Sequence, residues 1–231
     1  HHTEMGKRLV LAGYFGRGNL GDDAILLGFT RGVQKLGYEY RALCGSKERL
    51  MRDYGITGVL YNDLREVGEA IRDSDAVVFP GGSVFQDVTS FKSVAYYANL
   101  VKIAKKEGKK VVMLGQGVGP LTSFLGKRTA ASAFNAADVI TVRDKGSAGE
   151  LKALGVKGVP RLTADTAFLI GSPPNAEDQS QFGVAGMRSV GISARPIPGD
   201  RSKHVVKLFG KLLKVLFENG WMPSIMELDQ E

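Results

Sequence analysis

Cysteine and histidine are nearly missing from this sequence. Cys44 is the only cysteine, so neither an intrachain disulfide framework nor a thiolate metal cluster is available, and a reducing cytoplasm fits. Two of the three histidines stand in the opening His-His-Thr-Glu. That segment reads as a tag remnant ahead of a native start at Met5, so a histidine metal site is not expected and no metal is assigned. No apolar run approaches the roughly 20 residues of a membrane span, and no signal peptide precedes Met5. Also missing is a basic stripe with interleaved aromatics. The net charge is +7, but the cations are spread over helix faces and tails. That argues against nucleic acid and leaves a solvated basic surface, an anionic ligand or an anionic membrane face.

What is present is glycine and alternation. The chain has 231 residues, 30 of them glycine, and 43% are hydrophobic, enough for one large domain or one domain and part of another. Apolar runs predict strands at Arg8–Tyr14, Tyr38–Leu43, Gly58–Tyr61, Ala76–Phe79, Lys110–Gly115 and Val139–Val142. The clearest are apolar throughout, as strands covered on both faces of a parallel sheet should be. Helical patterns intervene at Asp22–Leu36, Asp63–Arg72, Lys92–Glu107, Thr129–Ala137 and Ser147–Leu154, three of them followed directly by Gly37, Gly108 or Gly155. The expectation is an α/β, doubly wound Rossmann-like domain over 5–171. A Pro-, Gly- and polar-rich linker follows at 172–188, and 189–231 begins a second such domain, incomplete as given. In it, Ser189–Ala194 and 224–228 read as strands around an apolar helix, His204–Phe217. His204 is then a helix-start residue, and Trp221 with Phe209, Leu212, Leu213 and Leu216 is core.

Ligands of such sheets bind beyond the carboxyl ends of the strands. The loops there are "GRGNLGDD" (16–23), "PGGSVFQD" (80–87), "GQGVGP" (115–120) and "RDKGS" (143–147), with "TADTAFLI" (163–170) further on. Gly16-x-Gly18-x-x-Gly21 matches the dinucleotide fingerprint. Asp22 and Asp23 speak against it, because two carboxylates in the first helical turn compete for the N–H groups a pyrophosphate would need. The second strand tip, "CGSKER" (44–49), also lacks a well-placed acid for a ribose. An aspartate at a helix start in a glycine-rich opening suits a general base or hydroxyl acceptor, or merely complements the helix dipole.

Taken in order, Gly16–Leu26, Pro80–Asp87, Gly115–Pro120, Val142–Ser147, Asp165–Phe168 and Gly191–Arg195 resemble the motifs of the polysaccharide pyruvyl transferase family, over nearly all of Arg8–Arg195. Two positions depart from the pattern: Pro80 replaces a glycine, and Asp22-Asp23 replaces Asp-Glu. The resemblance implies a GT-B-like pair of domains, the first for the acceptor and the second for the donor. It implies transfer of a pyruvyl group from phosphoenolpyruvate, as donor substrate and without a cofactor, to a cell-surface sugar as a 4,6-ketal. The acceptor would be a lipid-linked saccharide, which places the enzyme in the cytoplasm, with peripheral membrane contact.

By that resemblance Asp22 is the base, and Arg143 holds an anion unless it is simply paired with Asp144 or another loop acid. Arg195 is a second anion clamp or a surface arginine before a proline. Gly16, Gly18, Asn19, Gly21, Gly81, Gly82, Ser83, Gln86, Asp87, Gln116 and Gly117 line the substrate site, where Ser83, Gln86 and Gln116 hydrogen-bond sugar hydroxyls or only form turns. The alternatives are a GT-B-type nucleotide-sugar glycosyltransferase and a non-catalytic binding domain whose acids serve as caps.

Overall fold

A computed structural model describes residues 7–88, 90–158, 160–171, 188–193 and 201–226. Contacts divide the chain between Gly171 and Ser172.

The first unit is one parallel sheet with strand order β3-β2-β1-β4-β6-β7-β8, and β5 beside β6. Its strands are β1 (Arg8–Phe15), β2 (Glu39–Cys44), β3 (Gly58–Leu60), β4 (Ala76–Phe79), β5 (Gly82–Phe85), β6 (Lys110–Val118), β7 (Val139–Val142) and β8 (Arg161–Leu162). Helices α1 (Leu20–Val33), α2 (Lys47–Tyr54), α3 (Leu64–Arg72), α4 (Phe91–Lys106), α5 (Phe124–Ala136) and α6 (Lys145–Ala153) alternate with them. The doubly wound expectation follows from side-chain alternation. Leu9 and Leu11 join one core cluster with Leu26, Phe29 and Leu50. Val10 and Ala12 join the other with Ile71, Leu100, Phe134 and Leu151. Successive residues of β1 thus feed opposite faces, and both faces are covered by helices.

Several elements differ from the sequence expectation. The segment read as a loop after β4 contains β5, whose Gly82 and Phe85 pair with Gln116 and Val118. β6 accordingly runs to Val118 rather than ending at Gly115. The tip at 44–49 opens α2, capped by the Ser46 hydroxyl, which accepts the Arg49 N–H, and closed by left-handed Gly55. Only Leu50 of α2 is buried, so the helix leaves almost no periodic apolar signal. A short 3-10 helix, Thr166–Ile170, packs along α1.

In the second unit β9 (Arg188–Ser193) and β10 (Trp221–Met226) pair in parallel, with α7 (Arg201–Glu218) between them in sequence. The expected core stripe needs correction. Phe209, Leu213 and Leu216 are half-buried and Leu212 is exposed, because one helix against two strands covers only one of its sides. Trp221 is half-buried beneath the Arg188 guanidinium, 5.1 Å from its ring centre.

Candidate active site

The site residues stand at the carboxyl edge of the first sheet, where each strand hands over to a helix. The first loop is held from within. The Asn19 side-chain oxygen accepts the Asp22 N–H at 3.1 Å, capping α1. The Asp23 carboxylate is buried, accepting the Gly16 N–H at 2.8 Å and the Tyr54 hydroxyl at 2.9 Å. Burial and that bond push the Tyr54 hydroxyl up to about 12. Gly16 and Gly18 have positive φ and are buried, while Gly21 is exposed. Of the two adjacent acids, Asp23 fixes the loop and Asp22 stays half-exposed on its face. A Cβ on Gly82 would lie 3.1 Å from Asp22 Oδ1, so the carboxylate overhangs β5.

Across β6 a second group assembles. Arg143 Nη1 donates to Asp165 Oδ2 and Nη2 to Ser83 Oγ, each at 3.0 Å. Its Nε stands 3.5 Å from Asp144 Oδ2. A Cβ on Gly117 would lie 2.2 Å from Ser83 Oγ and 2.8 Å from Arg143 Nη2, so both side chains lie directly over a bare stretch of β6. The loop-acid pairing of Arg143, one of the two sequence readings, is therefore present. Thr166 Oγ1 donates to the Pro80 carbonyl at 2.6 Å and also borders Gly81, tying the 163–170 segment to the turn after β4.

Asp22, Gly81, Gly82, Ser83, Gly117 and Arg143 come together along this edge, joined by Asp165 and Thr166. Sequence reasoning placed those last two in a motif without giving them a role. Gln116 lies beneath, fully buried. Its Nε2 donates to the carbonyls of Phe79 and Leu114, while its Oε1 has no partner among the described residues.

Gln86 and Asp87 lead elsewhere. Gln86 Oε1 accepts the Val88 N–H at 2.9 Å. Asp87 accepts four bonds from Thr122 and Ser123, two from backbone N–H groups and two from hydroxyls. These bonds, the Ser123 hydroxyl foremost, hold its carboxyl well below the usual carboxylate range. Arg195 lies outside the described residues.

The sequence reading passed over an aromatic shelf beside the first loop. The Arg17 guanidinium carbon lies 3.5 Å from the ring centre of Tyr61 and 4.4 Å from that of Tyr14. Tyr96 meets Tyr61 edge-on at 6.0 Å and donates its hydroxyl to the Tyr61 carbonyl. Burial pushes Tyr96 up to about 12 and Tyr97 higher still. Arg17 sits between Gly16 and Gly18, so the signal was its position inside the motif. Among the described residues no group of three or more His, Cys, Asp or Glu could hold a metal ion.

Solved structures share this architecture at low identity. A protein described as a UDP-N-acetylglucosamine 2-epimerase from Listeria monocytogenes superposes with a TM-score of 0.62 at 13% identity, over 96% of this chain and 63% of that one. The UDP-N-acetylglucosamine 2-epimerase of Methanocaldococcus jannaschii gives 0.59 at 10% identity, over 97% and 66%. An α-glucosyltransferase solved with UDP and DNA gives 0.54 at 15%, over 91% and 55%. The chain thus spans less than two thirds of each of these structures' own length, and the likeness is one of fold, the Rossmann-like α/β architecture of GT-B sugar enzymes. No curated protein matches the sequence. The family model for polysaccharide pyruvyl transferases matches residues 19–226, a span that begins in the first glycine loop and takes in Asp22, the β5 turn, the β6 edge and Arg143. On that match, which covers most of the chain, the protein belongs to the polysaccharide pyruvyl transferase family.

Proposed function

We propose that this protein transfers the pyruvyl group of phosphoenolpyruvate to two hydroxyls of one sugar in a cell-surface polysaccharide precursor, forming a 4,6-ketal and releasing phosphate. The acceptor sugar in this reading is N-acetylmannosamine of a lipid-linked saccharide. The observation that carries the reading is the Asp22 carboxylate at the head of α1, over Gly82, with the Ser83–Arg143–Asp165 group across the bare β6 edge.

The chemistry asks for little more than placed protons. Protonation of the donor's methylene carbon makes a methyl group and leaves oxocarbenium character at the central carbon. A sugar hydroxyl attacks there and gives up its proton to Asp22. The carbon–oxygen bond to phosphate then breaks, and the second hydroxyl closes the ketal. Of the two hydroxyl protons, one balances the new methyl group and the other leaves with hydrogen phosphate. Arg143 gives one N–H of each Nη to Asp165 and Ser83 and turns its Nε to Asp144, which fixes its plane and leaves the second N–H of each Nη to orient an oxyanion. Gln116 acts beneath the edge rather than on the substrate: it is fully buried, and its amide N–H groups hold the carbonyls of Phe79 and Leu114.

Contact with the cytoplasmic membrane face belongs to the same reading. Its support is a groove of about 740 Å³ between α4 and α5, lined by Phe91, Leu125, Lys102, Lys105 and Arg128.

The test is phosphate release from phosphoenolpyruvate by the intact protein, with and without an N-acetylmannosamine-containing disaccharide. Acceptor-dependent release should fall about 10²–10⁴-fold in Asp22→Asn, the usual weight of a positioned base, with the melting temperature nearly unchanged. Release that survives Asp22→Asn removes the base assignment. An enzyme that ignores phosphoenolpyruvate and instead turns over a nucleotide sugar is a glycosyltransferase.

A further inference from the structure

Two arginines stand at the carboxyl edge of the first sheet, and their surroundings are opposite. Arg143 is bracketed by the carboxylates of Asp165 and Asp144, 3.0 and 3.5 Å away. Arg17 has no carboxylate within salt-bridge distance among the described residues; its guanidinium carbon instead lies over the rings of Tyr61 and Tyr14, 3.5 and 4.4 Å from their centres. Two rings restrict the plane of the group, and cation–π attraction holds it there. Its N–H donors project from the rim of the guanidinium plane. The backbone is shaped to allow this: a Cβ on Gly45 would lie 2.7 Å from Arg17 Cγ. Holding a guanidinium in place costs side-chain entropy, and among the described residues no acid repays it. A fork whose donors have no acceptor among the described residues matches two oxygens of a phosphate or carboxylate.

The strand order separates the two cations. Arg143 lies over Gly117 on β6, while Arg17 leans on Tyr14 of β1 and on Tyr61 just past β3. β1 is two positions from β6 and β3 is four, so at about 4.8 Å per strand the groups are on the order of 10–19 Å apart. Phosphoenolpyruvate, three carbons and one phosphate, is too short to engage both. Asp22, over Gly82 of β5, lies between them along the edge, and both Asp22 and Arg17 act electrostatically on the buried Tyr97. A ligand whose hydroxyls meet Asp22 can therefore extend a second group along the edge toward Arg17.

We propose that Arg17, on its tyrosine shelf, is the receptor for an oxyanion carried by the acceptor saccharide away from the N-acetylmannosamine that takes the ketal, so that the acceptor as a whole is anionic. This rests on the acceptor reading of the first unit given above.

The experiment is a calorimetric titration of the intact protein with N-acetylglucosamine 1-phosphate, glucuronic acid and neutral N-acetylglucosamine, each with and without saturating phosphoenolpyruvate. At least one charged sugar should bind about tenfold or more tightly than the neutral one, the scale of one charge-assisted contact. Which one gains tells phosphate from carboxylate. The gain should vanish in Arg17→Ala, shrink in Arg17→Lys and persist when phosphoenolpyruvate fills its own site. Should either variant fail to fold, tyrosine difference absorbance of the wild-type protein reads the same event, because an anion on the guanidinium perturbs the rings beneath it. Equal binding of charged and neutral sugars, a gain that survives Arg17→Ala, or displacement of the charged sugar by phosphoenolpyruvate would each overturn the proposal. If phosphoenolpyruvate itself does not bind, the donor assignment fails, while the titrations without it still decide the role of Arg17.

Discussion

Asp22 and Asp23 are neighbours with the same side chain and opposite fates. Asp23 turns under the loop and is buried against Gly16 and Tyr54, while Asp22 remains on the accessible side over Gly82. Helical geometry separates them, since consecutive residues point about 100° apart around the axis. The sequence could say that an acid at this helix start is a base or hydroxyl acceptor or merely complements the helix dipole. It could not say what Asp23 holds, because Tyr54 arrives on a helix that left no apolar stripe. The glycine under Arg143 offers the sharpest test at this scale. Gly117→Ala puts a methyl group 2.2 Å from Ser83 Oγ and 2.8 Å from Arg143 Nη2, closer than any real contact, so both side chains must move off the β6 edge. The expected outcome is at least a tenfold loss of kcat/KM, because a misplacement of about 1 Å near reacting groups costs up to 10²-fold. The melting temperature should move little, since what is displaced is half-exposed. Steady-state kinetics beside a thermal melt checks this, and an alanine enzyme with unchanged kcat/KM would remove the Ser83–Arg143 pair from the site.

Strands and loops were legible to different degrees, and burial explains the difference. Ala76–Phe79 and Val139–Val142 are strands with the bounds their apolar runs give, because a strand covered on both faces has no polar interruption. β5 was hidden because Pro80-Gly81-Gly82 reads as a turn, and only its parallel pairing with the far end of β6 makes Gly82–Phe85 a strand. The Arg17–Tyr61 stack was hidden for a similar reason: the order β1-β2-β3 brings together residues far apart in sequence. Asp87 shows how such a loop is secured. Its four bonds tie the end of β5 to the head of α5, and Gly126 leaves the room, since a Cβ there would meet Asp87 Oδ2 at 2.4 Å. Its carboxyl is held below the unfolded value, so the unfolded chain binds the proton more readily as pH falls. The stabilisation is then complete above the ordinary aspartate range near 3.8 and is lost as pH drops below it. Asp87→Asn should lower the melting temperature at neutral pH and flatten its decline between about pH 4 and 2, the window set by that direction of shift. Parallel melts of both proteins across this range check it, and curves of identical shape would show that the tie does not hold the fold.

For the whole molecule, the cations behind the +7 net charge are spread, but three of them line one groove. The groove between α4 and α5 carries Lys102, Lys105 and Arg128 beside Phe91 and Leu125. Phe124 and Leu125 are 73% and 61% exposed at the head of α5, and Val88 is 65% exposed just before α4. In a parallel α/β sheet the heads of the helices share the edge where the strands end, so this apolar cluster lies on the same side of the first unit as Asp22 and Arg143. Scattered exposed apolar residues mean nothing, but exposed apolar residues at the head of a groove that also carries Arg128, Lys102 and Lys105 match a surface of anionic headgroups over hydrocarbon. Among the described residues no helix is long and apolar enough to cross a membrane, so contact of this kind would rest on the surface. Each basic residue near an anionic leaflet contributes about 1 kcal/mol, falling off within a Debye length. The intact protein should therefore float with vesicles containing anionic phospholipid and not with purely zwitterionic ones, and should release as salt rises toward 0.5 M. The double change Lys102→Glu and Arg128→Glu should weaken flotation by about tenfold or more, because two attractions become two repulsions. Phe124→Ser with Leu125→Ser should weaken it with less effect on the salt dependence, since the lost part is apolar. Flotation that ignores lipid charge, or that survives both double changes, would assign the membrane contact to another surface and leave this groove as ordinary helix packing.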